Sequence, residues 1–215
     1  MFDASDQKIV HFGFSHKEHL PCIWISGVCN FPPYRLDVFW KFRGLKCQKT
    51  EDGNIAVNKD SFTFTFTPEY ATVFMREFVE WDRHYKFPSS PKGKTILDVG
   101  AGCGETILYF ALKGCRNFVA VEPDKTCVRL LKENAEKNGL NVKIHNEVLK
   151  KEHLGEDYDF VKIDCEGGEA LLLEHEVDKP VAAEVHGEKL MKSFLSKGFK
   201  IVEDFGNGTC IMRNY

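Results

Sequence analysis

The chain has 215 residues, 43% of them hydrophobic, and a formal net charge of −3. That length supports one main α/β core with room for an appendage, and the near-neutral charge gives no global basic field for holding a polyanion, so nucleic acid is unsupported as a partner. No apolar run approaches a bilayer span, and residues 1–6, Met-Phe-Asp-Ala-Ser-Asp, are acidic where a signal peptide is basic, so a cytoplasmic location with no membrane partner is expected.

The N-terminal third reads as β-rich. Runs at 23–28 and 36–42 and a Glu51-Asp52-Gly53-Asn54 turn suggest a small antiparallel sheet. Phe62, Phe64 and Phe66 alternate with Thr63, Thr65 and Thr67, the period of a strand with one aromatic face. Thr67 then caps and Pro68 opens a helix whose Tyr70, Phe74, Phe78, Trp81 and Tyr85 recur at helical steps, a stripe that reads as core. Residues 88–93 are a linker. The chain divides into a β-rich extension (1–67), a covering helix and linker (68–92) and a main domain (93–215). The extension has two uses open to it, capping a site or pairing with a second copy in a homodimer.

The main domain alternates strands and helices. Strands are expected at 95–99, 117–121, 142–145, 160–163 and 181–185, with helices at 105–113, 124–138, 168–175 and 188–197. Gly114, Gly139 and Gly198 stop three of these helices as left-handed caps. Such alternation demands a mostly parallel sheet with right-handed crossovers. The last two strands, 199–203 and 209–213, are joined too tightly for a crossover and should pair antiparallel.

Chemistry concentrates where strands end. Asp98-Val99-Gly100-Ala101-Gly102-Cys103-Gly104 is a strand feeding a glycine turn and a helix start, the form of a ligand-binding loop. The spacing departs from the dinucleotide fingerprint, because Glu105 stands where its third glycine belongs and would repel a pyrophosphate. S-adenosylmethionine, cationic and free of phosphate, suits carboxylates such as Asp98 and Glu105. Gly100, Ala101, Gly102 and Gly104 are its candidate contacts. Glu122 lies 24 residues past Asp98, about where such folds place an acid for the ribose hydroxyls, and Pro123 follows it. Glu147, near the end of strand three, is a candidate acceptor for the adenine amino group.

Strand four ends in Asp164-Cys165-Glu166-Gly167-Gly168-Glu169 and strand five in Glu184-Val185-His186. Asp164 and Glu166 should flank the sulfonium methyl, where a carboxylate deprotonates or holds a hydroxyl nucleophile. His186 has the pKa range of a general base. Asp164 also counts as a cofactor contact. Asp164, Glu166 and Glu184 could supply oxygen ligands, but no metal is expected. The eight cysteines form no C-x-x-C pair and read as reduced thiols, with Cys103 and Cys165 inside the site loops. Cys29-Asn30-Phe31-Pro32-Pro33-Tyr34 is close to the N-P-P-Y loop of amino-group methyltransferases, but Phe31 interrupts it and a proline turn is the better reading.

The combination of Leu97-Asp98-Val99-Gly100-Ala101-Gly102-Cys103-Gly104, Val121-Glu122-Pro123, Leu131-Lys132-Glu133-Asn134, Val161-Lys162-Ile163-Asp164-Cys165-Glu166-Gly167-Gly168-Glu169 and Glu184-Val185-His186 resembles the FkbM-type branch of class I adenosylmethionine-dependent methyltransferases over residues 68–215. The resemblance implies an α/β, Rossmann-like fold with a doubly wound seven-stranded sheet. It also implies O-methylation of a sugar or small-molecule hydroxyl, cofactor contacts at Asp98, Gly100, Gly102 and Glu122, and a transfer site bordered by Asp164 and Glu166. Gly102 and Cys103 stand where the family commonly has Asn and Ile. The rival readings are an RNA or protein nitrogen as acceptor, with Lys92, Lys94, Lys150 and Lys151 as phosphate contacts, and a non-catalytic cofactor-binding module.

Overall fold

A computed structural model describes residues 10–14, 21–25, 28–30, 45–78 and 80–215. In the N-terminal part, β1 (Val10–Phe14), β2 (Pro21–Ile25) and β3 (Val28–Asn30) form an antiparallel sheet. The run read at 36–42 and the proline turn after Asn30 lie outside the described residues. A second antiparallel sheet contains β4 (Lys46–Lys49), β5 (Ile55–Lys59) and β6 (Phe62–Phe66). The phenylalanines of β6 all face inward, and Phe64 and Phe66 are fully buried. Each such side chain stabilises the fold by roughly 1.5–3 kcal/mol.

Thr67 caps α1 (Pro68–Glu77), accepting from the Tyr70 N–H at 3.4 Å. The single helix expected from the aromatic stripe is interrupted. The Glu80 N–H donates three residues back to the Glu77 carbonyl, and a separate turn, α2 (Trp81–His84), follows. This tighter bond re-aims the chain, and the stripe survives the break: Phe74, Trp81 and Tyr85 are all buried. Phe74 packs on Phe66 (5.3 Å) and Trp81 on Tyr109 (5.8 Å), so the aromatic segment joins the small sheet to the main domain in one core.

The main domain contains β7 (Thr95–Val99), α3 (Glu105–Leu112), β8 (Asn117–Val121), α4 (Lys125–Lys137), β9 (Asn141–His145), β10 (Phe160–Ile163), α5 (Leu171–Glu174), β11 (Val181–His186), α6 (Glu188–Ser196), β12 (Lys200–Asp204) and β13 (Thr209–Arg213). The sheet order is β12-β13-β11-β10-β7-β8-β9, parallel except for β13, which runs against both neighbours. Gly114, Gly139 and Gly198 all take positive φ at the helix ends. The helix expected at 168–175 is shorter. A 3-10 turn, Gly168–Ala170, precedes the four residues of α5, because Glu169 is held inside the fold instead of facing solvent. Alternation along the strands splits the core in two. One face carries Ile96, Phe160 and Ala182 under α3 and α4, and the other carries Leu97, Val161 and Ala183 under α5 and α6. This is the doubly wound α/β sheet expected.

Candidate functional site

After β7 the chain turns through Gly100, Gly102 and Gly104, each at positive φ, into α3. Backbone closes the first of these positions to a side chain, and movable side chains crowd the second. A Cβ on Gly100 would fall 1.8 Å from the Asp164 carbonyl oxygen, and one on Gly102 would fall 2.5 Å from Glu105 Oε2 and 2.6 Å from the Tyr70 ring. The loop is therefore sealed against β10 on one side and covered by α1 on the other.

Beneath the loop lies a buried ion pair. Asp98 is inaccessible; its Oδ2 accepts from Thr106 Oγ1 at 2.5 Å, and its Oδ1 stands 3.1 Å from Lys162 Nζ. Lys162 also donates to the carbonyls of Gly100 (2.9 Å) and Val99 (3.3 Å). Burial pushes the ammonium pKa down, but the charges of Asp98 and Asp164 outweigh it and hold it above its ordinary range. Asp98 was read as a cofactor contact; in the structure its carboxylate lies beneath the loop, against Thr106 and Lys162. It shares the Ile96 face of β7, which α3 covers, so it anchors the loop from below. Ala101 is likewise in the core, and a Cβ added at Gly104 would meet Leu131 and Phe64. Lys162 was not singled out beforehand; its signal is a charge within the apolar strand Phe160-Val161-Lys162-Ile163.

Glu122 follows β8 and is almost fully buried. Its Oε2 accepts from the Gly102 N–H and its Oε1 from the Asp124 N–H, both at 2.8 Å. Each oxygen keeps a further lone pair. Beside it a cavity of about 300 Å³ opens at the carboxyl ends of the strands, lined by Gly100, Pro123, Val148, Leu149, Cys165 and Glu166 among others. The wall after β9 is thus Val148 and Leu149 instead of Glu147. The Glu147 carboxylate is drawn away to Lys150 and to buried His153, 3.1 Å distant. Glu105 is buried with Oε1 unpartnered, and burial pushes its carboxyl pKa well above the usual range.

The parallel neighbours β10 and β11 bring a second group together. Asp164, Glu184 and His186 place oxygen and nitrogen atoms within 4.8 Å of one another. Glu169, fully buried, sets the histidine. Its Oε2 accepts from the Gly167 N–H at 2.6 Å, and its Oε1 accepts from the His186 N–H at 2.9 Å and lies 3.1 Å from His186 Nδ1. An ionised carboxylate only accepts, so Nδ1 carries the proton and Nε2 presents its lone pair, 3.7 Å from Glu184 Oε1. Glu166 was expected at this group and is not part of it. Its left-handed φ of 30° turns it away from the strand's alternation, and it lines the cavity instead. The two loop thiols are unreactive in character: a hydrogen bond with Cys127 and burial push Cys103 up, and burial pushes Cys165 up to about 12.

Sheet order, glycine loop and strand-end acid fit the S-adenosylmethionine site expected from the sequence. Residues 96–179 match the family model described as a methyltransferase domain. Uncharacterized protein 158B of Sulfolobus islandicus rod-shaped virus 1 is 32% identical over 91 residues, 40% of this chain and 58% of that protein, so the match spans little more than half of the viral protein. Solved structures with a similar outline include the ribosomal protein L11 methylase of Lactobacillus delbrueckii subsp. bulgaricus (16% identity, TM-score 0.47, 65% of this chain and 76% of that one). Two others are M. jannaschii TYW2 in complex with AdoMet (15%, 0.48, 74% and 83%) and Aeropyrum pernix fibrillarin with natively bound S-adenosyl-L-methionine (12%, 0.47, 79% and 93%). These are likenesses of outline and carry no acceptor with them. Among the described residues no helix is long and apolar enough to cross a membrane.

The residues present fit the cofactor. Glu122 would accept ribose hydroxyls, the unpartnered Glu105 Oε1 would take a donor from the methionine ammonium, and Pro123, Val148 and Leu149 would bound the adenine.

Proposed function

We propose that the chain is an O-methyltransferase of the FkbM-like branch that its motifs resemble, acting on a hydroxyl of a small molecule or sugar. The observation that carries this reading is His186, held by Glu169 so that Nε2 faces Asp164 and Glu184 at the mouth of the sheet. A neutral amine is nucleophilic as it stands, whereas a hydroxyl is a weak nucleophile until its proton is drawn off, and this cluster suits that need. S-adenosylmethionine supplies a methyl already activated by its sulfonium. Asp164, Glu184 and His186 hold the acceptor oxygen in line with that methyl and draw off its proton, and proximity contributes much of the rate. The RNA reading is weakened because Lys94 is paired with Asp159 at 2.8 Å and Lys150 with Glu147.

The test is calorimetry with S-adenosylmethionine and S-adenosylhomocysteine, followed by methyl transfer from labelled cofactor to a panel of sugars and phenols. Both ligands should bind, Glu122→Gln should weaken them at least about tenfold, and His186→Gln should abolish transfer with cofactor affinity intact. Absence of cofactor binding, or label recovered only on RNA or protein nitrogen, would sink the proposal.

A further inference from the structure

Strand register places His186, Thr209 and Phe205 in a row at the carboxyl end of β11. Along β11, Glu184 and His186 alternate with Val185 and share the face of Ala182, which lies in one core with Trp81 of α2. His186 pairs with Thr209 at the start of β13. The Phe205 N–H donates to the Thr209 carbonyl at 3.0 Å, which brings the residue after β12 level with that pair. Glu203 meets Arg83 and His84 of α2, and the Phe205 ring packs edge-on against His84 at 5.9 Å. Phe205 therefore stands on the same face as His186, with Thr209 between them.

The row has two tall ends and a low middle. Neighbouring strands lie about 4.8 Å apart, so β11 and β12 are separated by roughly 10 Å across β13. Thr209 is the floor of that gap, and the imidazole and the phenyl ring are its walls. The Gly187 N–H donates to the Gly208 carbonyl at 2.7 Å and ties the hairpin to the strand end that carries His186. A Cβ added at Gly187, Gly206 or Gly208 would meet nothing within 4 Å among the described residues, so this end of the sheet is open. Independently of that register, Phe205 is 43% exposed, one of four large hydrophobic side chains left at the surface among the described residues. Held in water, the ring adds little to the fold, whereas a substrate beside the base gains a face to stack on.

We infer that the acceptor is a phenol whose flat ring lies over Thr209, against Phe205, with its hydroxyl at His186 Nε2. The inference rests on the O-methyltransferase reading and names its acceptor class. A flat ring needs about 3.5–4.0 Å between its carbons and those on either side, which the gap supplies for one ring. A sugar suits it less. The floor and outer wall offer one hydroxyl, on Thr209, while the nearby Asn207 and Asp204 side chains accept the Thr209 and Gly206 N–H groups of the turn. Sugar hydroxyls facing Phe205 would go unpaired, and each would cost free energy. The phenol gives its proton to His186 Nε2 as its oxygen bonds to the methyl carbon, and the breaking carbon–sulfur bond leaves its electron pair on sulfur.

The test is saturation-transfer NMR on the full chain with S-adenosylhomocysteine present and either 4-methylphenol or methyl glucoside as the probe. The 4-methylphenol ring protons should receive saturation, and Phe205→Ala should weaken binding at least about tenfold. Thr209→Trp, which fills the floor, should abolish it. Ile201→Ala removes an equally exposed side chain of β12 that pairs with Met212 of the other core, and should change nothing. With labelled S-adenosylmethionine, Phe205→Ala should raise KM for 4-methylphenol with kcat and cofactor affinity little changed, and Phe205→Tyr should restore KM. Circular dichroism checks that each variant is folded. Binding of 4-methylphenol without methyl transfer would uphold the subsite and count against the O-methyltransferase reading alone. No 4-methylphenol binding, equal binding by Phe205→Ala, or stronger binding of methyl glucoside overturns the inference.

Discussion

Asn134 on α4 pairs with the backbone of Thr65 on β6 as a neighbouring strand would. Its Oδ1 accepts the Thr65 N–H at 2.7 Å, and its Nδ2 donates to the Thr65 carbonyl at 2.9 Å and to the Cys103 carbonyl at 2.9 Å. Asn138, one turn on, repeats the pairing with Thr63. One side chain therefore joins the N-terminal sheet, a helix of the main domain and the glycine loop. Asn134→Ala leaves three backbone groups unpaired in a buried place, and the expected loss is about 2–4 kcal/mol. Urea unfolding should show one transition with its midpoint shifted. Two separate transitions in the wild type would instead mean that the extension folds on its own.

Glu105 supplies a pH signature. Burial raises its folded-state pKa above the ordinary 4.5, so in that window the folded chain keeps a proton that the unfolded chain has lost. Its stabilising contribution is complete below about pH 4.5 and declines as pH rises toward the folded-state value. Glu105→Gln should flatten this decline and raise the melting temperature at neutral pH. The same residue links cofactor binding to protons. If its orphan oxygen receives the methionine ammonium, binding ionises the carboxyl. Affinity should rise with pH, and calorimetry in buffers of differing ionisation enthalpy should register a released proton. Glu105→Gln should release none.

How much could be read beforehand follows from what is local. The glycine loop, the glycine caps, the period of β6 and the strand-helix alternation are encoded within a few residues; the alternation implied a mostly parallel sheet, and the doubly wound seven-stranded form came from the resemblance. Relationships across the sheet were not legible. Lys162 stands opposite Asp98 only because β10 and β7 pair in that register. This register gives the expected ligand contact a buried partner beneath the loop. Glu169, second in the helix expected at 168–175, is instead carried by a 3-10 turn to His186. The aromatic stripe was correctly core, but Tyr70 also reaches the glycine loop, which spacing along a helix does not disclose.

The contact between Tyr70 and Gly102 predicts a coupled pair. A methyl at Gly102 meets the ring of Tyr70 and the end of Glu105, both flexible, at a φ of 54° that a non-glycine residue adopts at some cost. Gly102→Ala should therefore fold yet weaken S-adenosylmethionine by roughly tenfold or more, since α1 must lift from the loop. Tyr70→Ala in that background should recover part of the loss, with a coupling of about 0.5–3 kcal/mol in a double-mutant cycle. Strict additivity would show that the ring does not press on the loop.

Lys162 gives the sharpest contrast between breaking a buried pair and removing it. Lys162→Met strips the Asp98 carboxylate of its counter-charge and also frees the Gly100 carbonyl, and the expected cost is about 3–5 kcal/mol. Lys162→Met combined with Asp98→Asn leaves no uncompensated charge, and Thr106 can still donate to the amide oxygen. The double variant should be more stable than Lys162→Met alone. Cofactor affinity should follow the same order, because both residues act on the loop from beneath and neither lines the cavity. An Asp98→Asn variant with normal stability and no cofactor binding would return Asp98 to the role of a direct ligand contact.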